Sequence, residues 1–289
     1  MTGKRKSAEL FQNFEHIFSC PHCESPMKVV HSKSIVCSNN HTFDFAKQGY
    51  VNMLTRPANN QYNKTLFQAR HAVIADRDFY SLLHETIARI INENTDYRKD
   101  IVIFDAGCGE GSHLNKILEK CGREGLTGIG LDISKEGIRM AAGRYKECLW
   151  LVGDLANPPL SDHSCHVILN ILSPANYKEF KRLLAPDGLV IKVVPRSNYL
   201  RELRMAFFAV TEKKPYSNEK IVALFSEHFR LVNKIRLDYK KKLSRDEITE
   251  FLQMTPLSWH REKDAGAVLG EHDHVTLTVD LDILIGKKK

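Results

Sequence analysis

The sequence predicts an α/β fold: a mostly parallel sheet covered by helices on both faces, with an antiparallel C-terminal strand and a small N-terminal metal-binding module. Three observations carry that expectation. Short apolar runs alternate with amphipathic stretches from Ile101 onward, a glycine-rich turn follows the first of those runs, and residues 20–41 concentrate Cys, His and Asn without helical periodicity.

Taken in order, residues 1–19 read as an N-terminal extension of open role, and residues 20–64 as a module too short to bury a core of its own. Residues 65–289 hold connecting helices and the sheet-forming domain. Residues 66–95 have helix-compatible spacing broken near Asp76-Arg77-Asp78, which predicts two helices. Residues 101–104, 126–131, 150–152, 167–171 and 189–194 are strand-like, and most are followed by a segment fit to be the crossover helix of a βαβ unit. Residues 229–237 and 274–284 depart from this alternation. In the second, Val275, Leu277, Val279, Leu281 and Ile283 alternate with Thr276, Thr278, Asp280 and Asp282, which predicts an edge or antiparallel strand exposed on one face.

Composition narrows the class. With 43% hydrophobic and 27% charged residues the chain is globular, neither disordered nor collagenous. No apolar run approaches the roughly 18 to 20 residues of a membrane-spanning helix, and the N-terminus has no apolar signal core. A cytoplasmic location is expected, where the seven cysteines stay mostly reduced. The net charge of +7 is uneven: +4 in residues 1–64, −2 in 65–191, +7 in 192–261 and −2 in 262–289. Two basic blocks flanking a slightly acidic middle suit a polyanion gripped at the flanks and chemistry in the middle; solvated lysines on ordinary helices are the plainer alternative.

The strongest chemical signal is Phe104-Asp105-Ala106-Gly107-Cys108-Gly109-Glu110-Gly111-Ser112, after a strand and before a helix. Its glycines let the backbone turn sharply and approach a ligand. Gly128-Ile129-Gly130-Leu131-Asp132 ends the next strand, and a carboxylate there can accept hydrogen bonds from ribose hydroxyls. Gly153-Asp154-Leu155 follows the third strand, within reach of an adenine edge. A dinucleotide site would use G-x-G-x-x-G to rest a pyrophosphate on a helix N-terminus. The spacing here is G-x-G-x-G beside Asp105 and Glu110, a poor setting for phosphate and a good one for an amino group.

This loop resembles motif I of the class I S-adenosylmethionine (SAM)-dependent methyltransferases, which implies their Rossmann-like fold. By that resemblance Asp105, Gly107, Gly109, Glu110 and Gly111 line the methionine end, Asp132 takes the ribose, and Asp154 with Leu155 borders the adenine. Cys108 reads as a small buried apolar residue.

Cys20-Pro21-His22-Cys23 and Cys37-Ser38-Asn39-Asn40-His41 give C-x2-C-x13-C-x3-H, the spacing of a structural zinc held tetrahedrally by Cys20, Cys23, Cys37 and His41. His22 is the alternative fourth ligand. Cys108, Cys121, Cys148 and Cys165 show no paired spacing.

The zinc motif, the run Phe45-Ala46-Lys47-Gln48-Gly49-Tyr50-Val51-Asn52-Met53-Leu54, the SAM loop and Leu252-Gln253-Met254-Thr255-Pro256-Leu257-Ser258-Trp259 together resemble the bacterial 23S ribosomal RNA (guanine-N1)-methyltransferase family of the RlmA type, from Cys20 to about Leu284. The resemblance implies a homodimer whose zinc modules help bind an rRNA hairpin, with methylation at N1 of one guanine. It also implies that Tyr80 meets SAM from the connecting helices. Where relatives can carry Pro-Arg-His-Leu, with the histidine touching SAM, this chain has Asn198-Tyr199-Leu200, making Tyr199 the corresponding candidate.

Methyl transfer from a sulfonium is an in-line displacement and needs no covalent enzyme intermediate. Cytosine-C5 methylation would need a cysteine near the end of the fourth strand, where this chain reads Asn170-Ile171-Leu172-Ser173-Pro174. Guanine N1 carries a proton, so a base or a donor to O6 should assist, and Asn170 and Ser173 are the catalytic candidates. Trp259 could stack on a flipped base or pack on the sheet. Arg201, Arg204, Lys213, Lys214, Lys240, Lys241, Lys242 and Arg245 are the expected phosphate contacts. Two rivals remain at this point: a small-molecule methyltransferase of the same fold, and a ribosome-assembly protein that keeps SAM as a structural ligand.

Overall fold

The computed structural model describes residues 3–57, 62–96, 99–207, 216–255 and 272–289. Lys213, Lys214 and Trp259 lie outside the described residues. Helix α1 (Gly3–Asn13) is followed by a short antiparallel sheet of β1 (Met27–Val30), β2 (Ser34–Cys37) and β3 (Thr42–Asp44), and then by β4 (Val51–Asn52). Helix α2 (Lys64–His71) starts where the Asn63 side chain accepts the Leu66 N–H at 2.9 Å. A π turn over Ala72–Asp76 and a positive φ of 51° at Asp78 form the expected break before α3 (Ser81–Asn94).

The main domain runs β5 (Ile101–Ala106), α4 (Ser112–Cys121), β6 (Leu126–Asp132), α5 (Lys135–Arg144), β7 (Leu149–Val152), β8 (Cys165–Ile171), α6 (Tyr177–Leu183) and β9 (Leu184–Pro195). It continues through α7 (Arg201–Phe207), α8 (Glu219–His228), β10 (Arg230–Ser244), α9 (Arg245–Met254) and β11 (His274–Lys287). The sheet order is β10-β11-β9-β8-β5-β6-β7-β4, parallel from β9 to β4, with β11 antiparallel to both β9 and β10.

Two expectations need correction. The strand starting near 229 continues to Ser244, and it, rather than β11, is the edge. The alternation in β11 does not mark an exposed face: Thr278, Asp280 and Asp282 are buried. The aspartates are tolerated there because cations meet them. Arg196 Nη1 donates to Asp282 Oδ2 at 2.9 Å, and Arg236 Nε to Asp280 Oδ1 at 2.9 Å.

One face of the sheet packs Ile103, Trp150, Leu169 and Ile191 against α3, α4, α5 and α9. The other packs Phe104, Leu131, Ile168 and Val190 against Phe180 of α6 and Phe225 of α8. The N-terminal segment enters this second core. Phe11 of α1 stacks on Phe18 with ring centroids 5.0 Å apart and meets Phe45 edge-on at 5.0 Å. Burial of each such ring contributes roughly 1.5 to 3 kcal/mol. The sequence separates residues 20–64 from the remainder of the chain, yet β4 of that stretch is a strand of the main sheet, paired with β7 through Val51 and Leu151. Ser19 N also donates to Pro159 O at 3.2 Å, and Asn157 Nδ2 to Pro21 O at 2.9 Å.

Candidate active site and metal centre

The C-terminal ends of β5, β6, β7, β8 and β9 open into a cavity of about 860 Å³, where parallel sheets ordinarily bind ligands. The loop after β5 makes its floor. Gly107 has φ +85°, and a Cβ there would sit 2.9 Å from Ser173 Oγ. At Gly111, φ is +81° and a Cβ would lie 2.4 Å from Trp150, so the turn admits no side chain. Gly107 N and Cys108 N donate to Leu131 O at 2.9 and 3.1 Å, tying the loop to β6.

Asp132 lines the cavity with a fixed carboxylate. Its Oδ2 accepts Gly109 N–H and its Oδ1 accepts Ser134 N–H, each at 2.8 Å. Both oxygens keep lone pairs suited to a pair of hydroxyls. Asp154 and Leu155 border the same cavity, and Asp154 Oδ1 accepts Ala156 N–H at 2.8 Å. Tyr80 and Tyr199, from separate parts of the chain, share a hydrogen bond between hydroxyls at 2.7 Å on its wall.

Asp105, Glu110 and Gly111 differ from the expectation that they line the methionine end: they lie behind the wall rather than on it. Burial pushes the Asp105 carboxyl up to about 8, aided by neighbouring Asp132 and opposed by Arg70. Glu110 is fully buried and accepts Arg70 Nε at 2.7 Å. Its charge is therefore met by Arg70, which does line the cavity and which no sequence signal marked.

Asn170 and Ser173 stay joined, Asn170 Nδ2 donating to Ser173 Oγ at 2.6 Å, but only Ser173 reaches the cavity. Ser173 is on the wall and donates its hydroxyl to Ala106 O at 2.7 Å. Asn170 is buried behind it, with Nδ2 donating to Ala106 O at 3.1 Å and Pro174 O at 2.8 Å, and is not a lining residue. Its Oδ1 instead accepts Lys192 Nζ. Lys192 lines the cavity, and a charged residue inside the apolar run 189–194 was the signal that could have found it. His113 also lines the cavity and pairs with His84 at 2.8 Å between ring nitrogens. Burial lowers both, His84 to about 4, so the pair is neutral near pH 7. Cys108, Cys121, Cys148 and Cys165 are all buried. Burial pushes the Cys108 thiol well above its usual range and the other three to about 11 or 12, which leaves no thiolate nucleophile among them.

Away from the cavity, the four expected metal ligands converge, with all donor atoms within 4.8 Å of one another. His41 Nδ1 is 3.5 Å from Cys20 Sγ and 3.4 Å from both Cys23 Sγ and Cys37 Sγ, and the Cys23 and Cys37 sulfurs are 3.7 Å apart. Tetrahedral zinc with bonds of about 2.3 Å to sulfur and about 2.0 Å to nitrogen requires edges of about 3.5 to 3.8 Å, so the set fits. His22 is excluded from it, lying against His41 with ring centroids 4.9 Å apart. Four protein ligands leave no position for a reacting water, so the zinc is structural.

Residues 18–64 match the family model described as RlmA, N-terminal, a zinc ribbon, and residues 103–188 match a methyltransferase domain. The 23S rRNA (guanine(748)-N(1))-methyltransferase of Streptomyces fradiae is 31% identical over 278 residues, covering 94% of this chain and 98% of that one. YxjB of Bacillus subtilis (strain 168), whose name gives it a 23S rRNA (guanine-N(1)-)-methyltransferase activity provisionally, is 42% identical over 275 residues, covering 94% of this chain and 97% of that one. The chain belongs to the 23S rRNA (guanine-N1)-methyltransferase family. Its sheet and glycine loop are those of a SAM-dependent methyltransferase, and its N-terminal ribbon is the zinc-binding part characteristic of that family.

Proposed function

We propose that this methyltransferase modifies N1 of one guanine in a 23S rRNA hairpin, acting in the cytoplasm as a homodimer. The observation that carries the reading is the union, on one chain, of a zinc ribbon and a cofactor cavity over a length shared with the Streptomyces fradiae enzyme. A small-molecule methyltransferase would need no ribbon, and an assembly factor would need no cavity wide enough for cofactor and acceptor together.

Bound SAM supplies an electrophilic methyl group. Asp132 accepts the ribose hydroxyls, Asp154 and Leu155 bound the adenine, and Gly107 and Gly109 allow close approach of the backbone. The Arg70 guanidinium, held by Glu110 beside Gly109, meets the methionine carboxylate, with the Tyr80–Tyr199 pair next to it. Exposed Ile133, Leu172 and Tyr216 on the cavity rim offer apolar surface to an unstacked base. The RNA backbone is held by exposed cations, among which Arg201, Lys240, Lys242 and Arg245 are solvent-facing. No described helix is long and apolar enough to cross a membrane.

The test is methyl transfer from SAM to 23S rRNA taken from a strain lacking the gene, with the product mapped by reverse-transcriptase stops. A single new stop at a guanine is expected. Methylation of a small acceptor with none on guanine would overturn the reading, and sedimentation as a monomer at working concentration would remove the dimer.

A further inference from the structure

Lys192 stands out because a lysine inside a sheet ordinarily has a carboxylate partner or an exposed head. This one is 5% exposed, and no described carboxylate lies within salt-bridge distance. Its Nζ donates to Asn170 Oδ1 and, at 3.4 Å, to Ser173 O. Both acceptors are neutral. The amide of Asn170 cannot turn over without cost, because its Nδ2 already serves Ala106 O and Pro174 O; Oδ1 must face Lys192. Two corners of the tetrahedral nitrogen are thereby assigned to protein acceptors. The remaining corner is the one a ligand in the cavity can use. In a neutral amine that corner is a lone pair.

The surroundings do not restore the charge. On β8 the register partner is Asn170, and on β11 it is Leu284, with Asp282 two residues away already taken by Arg196 and Asn218. Across the cavity, Asp132 is held by backbone N–H groups, Arg70 by Glu110, and His113 is neutral. Asp154, Arg196, which is paired with Asp282, Arg204, Tyr62, Tyr80, Tyr199 and Tyr216 are the other ionisable groups on the wall. Burial lowers the lysine to about 8 from its ordinary 10.5, which leaves roughly a tenth of it neutral at pH 7 and more as the pH rises. That is the range in which a lysine works as a base.

We propose that Lys192 is the general base of the reaction, its ε-amine taking the N1 proton of the guanine while Asn170 and the Ser173 carbonyl hold it in position. The N1–H bond breaks, its proton going to Nζ and its electron pair remaining on N1. That pair forms the bond to the methyl carbon as the carbon–sulfur bond of the sulfonium breaks, leaving its own pair on sulfur. The ammonium produced then returns its proton to solvent. Asn170 is a positioning residue in this scheme. The assignment rests on guanine N1 being the acceptor.

Single-turnover methylation of a 23S rRNA fragment, with SAM saturating, should rise with pH and level off near the lysine pKa. Lys192→Met should lose about 100-fold or more with SAM affinity by calorimetry unchanged, and Lys192→Arg should not rescue it, since guanidinium stays protonated. Asn170→Asp puts a carboxylate beside the amine. It should move the pH profile to the alkaline side and move the Lys192 side-chain NMR titration by the same amount, in free enzyme as well. Activity of Lys192→Met within about threefold of wild type, rescue by arginine, or a Lys192 resonance titrating in the ordinary lysine range would overturn the assignment. Wild-type enzyme that puts no methyl on guanine N1 overturns the functional reading along with it; wild-type methylation matched by Lys192→Met overturns the base alone.

Discussion

Asp132 and Asp105 are both carboxylates near strand ends, Asp132 partly exposed on the cavity wall and Asp105 buried, and their surroundings give them opposite tasks. Asp132 is steered into the cavity by two N–H groups, so Asp132→Ala should weaken SAM binding. Loss of a charge-assisted hydrogen bond costs about 1.5 to 3 kcal/mol, or about 10- to 100-fold in affinity. Titration calorimetry would read it, and unchanged affinity would remove Asp132 from the site. Asp105 has no such steering and keeps its proton up to about pH 8, against 3.8 for an ordinary aspartate. Between those values the folded chain holds a proton that the unfolded chain has lost, so this group's contribution to stability falls as pH rises through that window. Asp105→Asn removes the titration. Its melting temperature relative to wild type should be higher at pH 8 than at pH 5, and a gap that stays constant would show that burial does not set the Asp105 proton.

Among the elements, the ribbon depends most on something outside the polypeptide. The strands β1, β2 and β3 are three or four residues long, and although Met27 and Ile35 are buried, so short a sheet depends on the metal to fix its arrangement. Cys37→Ser should release stoichiometric zinc and lower the melting temperature by several degrees, read by metal analysis and calorimetry together; full retention of zinc would refute the ligand set. This centre was legible because its ligands are near one another in sequence and their spacing is chemistry in itself. The parallel strands were legible for a similar reason, each being a short apolar run. The β11 alternation misled because period two shows that two faces differ without showing which is wet, and Arg196 and Arg236 make the aspartate face an interior one. Arg70 had no mark at all: it is one residue of an amphipathic helix whose partner, Glu110, lies 40 positions on. Lys192 was not singled out in the sequence, although it is the one charge in the run 189–194, and its meaning depends on its register with Asn170.

At the scale of the molecule, charge is arranged around the sheet edge. Lys240 and Lys242 stand exposed on β10, the terminal strand, followed by exposed Arg245 at the start of α9. Replacing Lys240 and Lys242 by glutamine should weaken rRNA binding and reduce the slope of log affinity against log salt by about 1 to 2, with SAM affinity unaltered. Filter binding over a salt series checks this, and an unchanged slope would move the RNA to another surface.

The strand Val51–Asn52 bears on how such an enzyme could be rebuilt. The ribbon hands its chain directly to the last position of the catalytic sheet, so it is not a bead on a string. Cut away through Asn52, it would leave bare the flank of β7 and the part of the second core that Phe18 and Phe45 cover, inviting a second molecule to stick there. A transplant to another methyltransferase would have to carry the segment through Asn52 and a recipient sheet with a vacant edge to receive it.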